Sequence, residues 1–318
     1  MRRKPRHRPG ITARLLPGGA AVAVFLLGGC LFDSDGSSPS LAALWPNADG
    51  TRWDYSLIRR ELDGWPGTLY PTREAVPPIP SMQQIVELLS TEDIADPVAT
   101  EPTSYFFEFD GLRTTESGAT GQRVVTGAGA MGAAGGELVR RLREVRPDLR
   151  DRLDALAPPD LRTAGAGREP LFLHGYAWEK TDRRIGGYGD LSRELSWLYL
   201  EADVRPGHEF TLQLVPDLTD DVFLHGLLLD RAVVTTPAGT FRGCVVCLYV
   251  VDYGVSRFTN DWGGTLGYVR TFDCGTIAYA AGVGPVHSYE RFLLATGSPP
   301  TSGVGDLTLE MTAKSDPE

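Results

Sequence analysis

Between Asp230 and Phe292 the apolar residues fall in short runs separated by turn-forming residues. Arg231 to Thr235 is a β-branched run, and Pro237-Ala238-Gly239 then supplies a turn, since proline fixes its own φ and glycine accepts φ > 0. Cys244 to Val251 (CVVCLYVV) is continuously apolar, as expected of a strand covered on both faces. The polar stretch Ser256 to Gly264 is expected to be a loop. It leads to a strand from Leu266 to Ala280, a glycine corner at Gly282-Val283-Gly284-Pro285, and a strand from Val286 to Leu294.

The same punctuation runs through the rest of the chain. Gly50 to Leu57 and Gly207 to Leu214 both open with glycine and continue with apolar residues at alternate positions, the mark of a half-buried strand. They suggest two equivalent β units. Ser81 to Leu89 reads as a short helix, and Tyr105 to Phe109, Leu171 to Glu179 and Leu195 to Ala202 as strands. One segment breaks the pattern. Leu138, Leu142, Val145, Leu149, Leu153 and Leu156 recur every three or four residues, the period of an amphipathic helix. Pro147 divides this helical insertion, at about 134–160, into two pieces, because proline suits a first helical turn. Gly297 to Gly303 reads as a linker, and Leu307, Leu309 and Met311 as an edge strand in the tail.

The expected fold is α+β and mainly antiparallel β, a curved sheet, sandwich or partly open barrel with one helical insertion. The β-rich domain is placed at residues 44–295, with linker and tail at 296–318. About 250 residues suffice for one sizeable core or two modest ones.

The N-terminus has another purpose. Arg2, Arg3, Lys4, Arg6, Arg8 and Arg14 precede an apolar run from Ala20 to Leu27, and Gly28-Gly29 precede Cys30. Basic, then apolar, then small residues make a secretory signal peptide over residues 1–29. The apolar run falls far short of the roughly 20 residues that span a bilayer. The ending Leu27-Gly28-Gly29-Cys30 resembles the bacterial lipobox, which implies lipidation of Cys30 with acyl chains such as palmitate. Residues 30–43 then form the lipidated cysteine and a polar tether. Leu31 beside the cysteine, where an acid would signal inner-membrane retention, implies outer-membrane delivery in a cell with two membranes.

Charge narrows the partners. The net charge of −10 includes the six basic residues of the signal, so the mature chain stands at −16. Such a balance argues against nucleic acid, whose phosphates need a basic face, and against a polybasic grip on anionic lipid. The anchor must hold it to the membrane.

A second resemblance lies in the C-terminal half. Pro237-Ala238-Gly239-Thr240-Phe241 with Cys244, followed by Tyr279-Ala280-Ala281-Gly282-Val283-Gly284-Pro285-Val286, resembles a signature of uncharacterised bacterial exported proteins and lipoproteins. In these a PAGTF turn precedes a strand and a YAxGVGxV corner follows it. The resemblance covers about a fifth of the chain and implies an envelope location and a β-rich fold, with no activity attached. Cys247 and Cys274 depart from the pattern.

Candidate chemistry is sparse. Gly127-Ala128-Gly129-Ala130-Met131-Gly132 has dinucleotide-binding spacing. Only Val124 and Val125 stand before it as a strand, and no second strand ending in an acid follows, so no cofactor is expected. Cys244 and Cys247 have redox spacing but lie in a β-branched run, where residues three apart face opposite ways. Zinc on Cys244, Cys247, Cys274 and His287 lacks the glycine or proline of a metal knuckle, and no metal is expected. A structural disulfide suits an exported protein better. A hairpin centred near Thr259 or Asn260 would set Cys274 opposite a residue between Cys244 and Cys247, leaving both open as partners. The resemblance favours Cys247–Cys274, because Cys244 recurs in relatives without the other two.

No catalytic residue emerges. His174, His208, His225 and His287 have different neighbours, although Asp220, Asp221 and His225 could share a turn. The six tryptophans could line a groove, but aromatics in a β protein are mostly core. The expected function is therefore a membrane-anchored envelope lipoprotein, non-catalytic, structural or partner-binding. A binder of a lipid or small apolar ligand in a sheet cleft, and an envelope hydrolase with an unidentified site, are the alternatives. An open apolar pocket would favour the binder, clustered histidines and carboxylates around a cleft the hydrolase, and a filled core with neither would favour the structural or partner-binding reading.

Overall fold

The structure is a computed structural model. It describes residues 38–46, 51–61, 68–90, 98–99, 103–115, 118–127, 136–156, 171, 177–180, 183–188, 196–260, 262–296 and 305–315. The signal segment, Cys30 and most of the tether lie outside the described residues, as do residues 128–132 of the glycine-rich run and His174.

The described chain is mainly antiparallel sheet with a few short helices. A short helix α1 (Leu41–Leu44) precedes β1 (Arg52–Glu61), and α2 (Met82–Ser90) precedes β2 (Val98–Ala99), β3 (Thr103–Thr115) and β4 (Gly118–Gly127). The helical insertion follows as α3 (Gly136–Val145), a 3-10 turn at Pro147–Leu149 and α4 (Arg150–Leu156). Next come β5 (Ala177–Lys180), β6 (Arg184–Tyr188), β7 (Ser196–Glu201), β8 (Glu209–Gln213), β9 (Phe223–Leu228) and β10 (Ala232–Thr236). Four long strands close the chain: β11 (Gly239–Thr259), β12 (Thr265–Ala280), β13 (Gly284–Ala295) and β14 (Gly305–Ser315).

Twelve strands form one hydrogen-bonded path, β7-β6-β5-β4-β3-β1-β14-β13-β12-β11-β9-β8, with β2 on β1 and β10 on β11. The two ends of this path, β7 and β8, are consecutive in sequence. Laid flat, twelve strands at about 4.8 Å spacing would hold their edges about 50 Å apart. The seven residues 202–208 that join them reach at most about 28 Å. The sheet must therefore curl, and His208 Nε2 lies 2.8 Å from Glu201 Oε2 across the seam. No ladder joins β7 to β8 among the described residues, so the sheet is curved and open.

The helical insertion fills the concave side. Leu138, Leu142, Val145, Leu149 and Leu153 are buried in one cluster with Trp53, Tyr55 and Leu57 of β1, Leu307, Leu309 and Met311 of β14, and Tyr249 and Tyr253 of β11. Leu198 and Leu200 near one seam edge and Phe210 at the other join the same cluster. On the convex side α2 sets Ile85 and Leu88 against Leu248, Val250, Phe272, Cys274 and Leu294. Coverage on both faces explains why every residue from Cys244 to Gly254 is buried.

Three expectations need correction. The polar stretch from Ser256 does not begin a loop, because β11 runs on to Thr259 and pairs with β12 down to Thr259↔Thr265. Ser256 is polar yet buried because its hydroxyl donates to the Val145 carbonyl at the end of α3. The tail strand is not an edge but lies between β1 and β13, so the folded unit extends past residue 295. Nor are the two glycine-led strands equivalent: among the described residues β1 pairs on both sides, whereas β8 pairs with β9 alone.

The glycine corner before β13 joins elements distant in sequence. Trp53 Nε1 donates to the Val283 carbonyl at 2.8 Å, and Tyr55 Oη to the Pro285 carbonyl at 2.9 Å. Gly284 has φ +105, and a Cβ there would stand 3.0 Å from Trp53 Nε1. Only glycine combines that backbone with that approach.

Candidate functional site

The most concentrated chemistry lies beneath α3. Arg141 has no exposed surface and points from the helix into the curled sheet. Its Nη1 donates to Asp273 Oδ2 of β12 at 2.5 Å and also to Glu290 Oε1 of β13. Its Nε donates to Glu137 Oε1 one turn back at 2.5 Å. The guanidinium also lies 5.4 Å from the centroid of the Phe292 ring, within cation–π range.

The carboxylates are held from other directions too. Tyr249 Oη donates to Glu290 Oε2 at 2.6 Å, and the Leu171 N–H donates to the same oxygen at 2.9 Å. Tyr253 Oη donates to Asp273 Oδ2 at 2.5 Å. Glu137 is shared with Arg140, whose Nε and Nη2 each lie 2.8 Å from its oxygens. Two guanidiniums and two phenols thus serve three buried carboxylates.

Burial opposes the Arg141 charge, but Glu290, Asp273 and Glu137 more than reverse it and raise its pKa well above the usual arginine value. Burial pushes Glu290 above the ordinary carboxylate range, with Arg141 pulling the other way. Burial and the adjacent carboxylates likewise raise Tyr249 and Tyr253, which keeps both phenols protonated as donors. The Asp273 and Glu290 side chains have 0% exposure, closed off from bulk solvent in this structure. The cluster can bind the insertion to the sheet, and breaking such a buried pair costs about 3–5 kcal/mol.

A second arginine repeats the arrangement at the end of α3. Arg146 Nη1 donates to Asp221 Oδ1 at 2.8 Å and to the Tyr253 carbonyl at 3.0 Å, while Asp148 takes up Nε and Nη2. Thr219 and Arg73 also donate to Asp221. Burial would raise the Asp221 pKa, but Thr219 and Arg146 prevail and hold it below the usual value.

Among the described residues, those singled out from sequence do not meet. Asp221 is taken up by Arg146 and Arg73, while His225 lies on β9 opposite Val250 with Nδ1 3.1 Å from Thr211 Oγ1. His287 is buried on β13 between Ala278 and Glu310. Cys244, Cys247 and Cys274 are free thiols, and the expected Cys247–Cys274 bridge is not formed. Because β11 runs farther than its polar residues suggest, Cys274 pairs with Val250 and Cys247 with Ile277. Three residues of offset put the two thiols about 10 Å apart along the strands and on opposite faces. Cys244 is six positions from Val250, about 20 Å away, so neither distance allows a bridge. Burial raises Cys244 to about 11 and Cys247 to about 12.

Among the described residues no three His, Cys, Asp or Glu side chains are grouped to hold a metal ion. β4, which leads into the glycine-rich run, is antiparallel to both its neighbours, unlike the parallel strand of a dinucleotide site.

No protein-family model matches this chain, and no curated protein matches it. Two solved structures are similar in outline. One is a candidate exported protein with YmcC-like fold from Bacteroides fragilis, with 11% identity, a TM-score of 0.36 and coverage of 86% of this chain and 98% of that one. The other is a candidate lipoprotein from Parabacteroides distasonis, with 10% identity, a TM-score of 0.38 and coverage of 88% and 100%. Likenesses this loose assign neither fold nor function.

Proposed function

We propose that this chain is a bacterial envelope lipoprotein, held to a membrane by acyl groups on Cys30, whose folded part is non-catalytic and serves a structural or partner-binding role. The observation that carries the second half is the packing of the described residues inside the curled sheet. Where a ligand-binding sheet keeps an open cleft, this one packs the helical insertion with Trp45, Trp53, Tyr55, Tyr199 and Tyr279. Its concentrated carboxylates are neutralised by arginine and shut off from water, which suits a lock better than acid–base catalysis.

The first half is supported by the sequence of residues 1–30, with Leu31 pointing to outer-membrane delivery in a cell with two membranes. Several acyl chains, each methylene worth about 0.8 kcal/mol, would make attachment nearly permanent. The test is metabolic labelling with a palmitate probe, followed by membrane fractionation. Wild type should label and sediment with the outer membrane, and Cys30→Ser should lose the label and stay as unprocessed precursor. Equal labelling of both chains would sink the anchor, and inner-membrane retention would sink the address.

A further inference from the structure

Among the described residues three large apolar side chains are exposed: Trp262 at 93%, Leu266 at 58% and Leu69 at 37%. They gather at one end of the molecule. Trp262 sits in the turn between β11 and β12, and Leu266 is the second residue of β12. Tyr70 exchanges two backbone hydrogen bonds of 2.8 Å with Tyr268, which sets Leu69 beside the same strand end. Among the described residues no other large apolar side chain is exposed.

The turn is also built to hold its shape. Asn260 Oδ1 accepts from the N–H of Trp262 at 3.1 Å and of Gly264 at 2.7 Å. The Asn260 N–H donates to the Gly264 carbonyl at 2.8 Å, and its carbonyl accepts from Gly263 at 2.9 Å. The backbone that carries the indole is therefore ordered before any partner arrives.

We propose that this hairpin tip is a second contact with the bilayer to which the chain is anchored, with Trp262 and Leu266 seated at the headgroup level. The inference rests on the lipid-anchored reading above. Tryptophan favours that interface because its ring is apolar and its N–H stays wet. Charge points the same way. Residues 257–266 carry Arg257 against Asp261, no net charge within a mature chain at −16, and Arg270 farther along β12 is paired with Asp252 at 3.0 Å. The tip is thus a part of the acidic body that an anionic or zwitterionic surface does not repel. Two apolar side chains bind a bilayer weakly by themselves, but the anchor supplies an effective concentration on the order of millimolar.

The tether sets the posture. The Gly282 N–H donates to the Ala43 carbonyl at 2.7 Å, so the tether joins the body at the far end of β12 from the tip. The sixteen residues of β12 measure about 50 Å, and the chain from Cys30 to Ser40 reaches at most about 35 Å. Anchor and tip meet one membrane plane only if the hairpin leans to within about 45° of it. The body would then lie along the membrane rather than stand away from it.

The test uses the full lipidated chain reconstituted into phosphatidylethanolamine–phosphatidylglycerol vesicles, as wild type and as Trp262→Ser. The difference between the two emission spectra isolates Trp262 from the other five tryptophans. Brominated phospholipid should quench that difference, and iodide should not. Quenching by iodide with none by bromolipid would show the tip in water and overturn the proposal. Protection from both would place it against another protein chain, which also overturns it. Failure of the chain to float with the vesicles at all would instead refute the lipid anchor on which the inference depends.

Discussion

Tyr249 reaches Glu290 across an intervening strand. The two residues sit on β11 and β13, and the position between them on β12 is Gly275, opposite Tyr249 on one side and Glu290 on the other. The phenol crosses this glycine to donate at 2.6 Å. A Cβ on Gly275 would stand 2.6 Å from the Tyr249 hydroxyl and 2.4 Å from the Tyr289 carbonyl oxygen. Gly275→Ala should therefore cost about 1–3 kcal/mol by overpacking, read as a lower urea midpoint. An unchanged midpoint would mean the crossing is looser than described.

Arg141 should be the most costly single side chain to remove from the insertion. Arg141→Leu leaves Asp273 and Glu290 buried without their cation, a loss of about 3–5 kcal/mol. Arg140→Leu is the control and should cost less, because that arginine is part-exposed and Glu137 keeps Arg141 as its partner. Equal midpoints for the two variants in chemical denaturation would remove Arg141 from its assigned role.

His287 gives stability a pH dependence of definite sign. Burial lowers its pKa from 6.5 to about 4, so the ring is neutral in the folded chain while the unfolded chain takes up a proton. Its contribution is complete above pH 6.5 and is lost as pH falls towards 4, about 3 kcal/mol in all. Glu310, opposite it on β14, is shifted up by burial and acts in the reverse direction. The wild-type curve minus that of His287→Gln isolates the histidine. That difference should fall between pH 6.5 and 4, and a flat difference would contradict it.

The thiols should be silent until the chain unfolds. With Cys244, Cys247 and Cys274 free, buried and shifted upward by burial, iodoacetamide should modify none in native protein. After denaturation without reductant these three should react, and Cys30 should not if its sulfur carries lipid. Peptide mapping that finds Cys274 linked to another cysteine would restore the bridge that the strand register forbids.

The strands around Cys244 and Leu266 were legible because their apolar and β-branched residues are bounded by glycine and proline turns. The helical insertion was legible because its leucines keep one period. The hairpin register was not, since Ser256 looks like a loop residue until the Val145 carbonyl is seen to need its hydroxyl. The central place of β14 depends on pairing with a strand some 250 residues away, which no local pattern encodes. The Arg141 cluster left a trace. Arg141 shares a face with Leu138 and Val145, and Asp273 and Glu290 are acids inside strands. A charge on an apolar stripe calls for a buried partner, but which acids meet it depends on the sheet.

The proposed ligand-free interior and lipid anchor are tested together by native mass spectrometry of the full chain extracted from membranes in mild detergent. The expected mass is that of the chain from Cys30 onward plus its acyl groups and nothing more. A further stoichiometric small molecule, lost when the chain is denatured, would mean that the curled sheet holds a ligand. An intact N-terminal signal would mean that it holds no anchor.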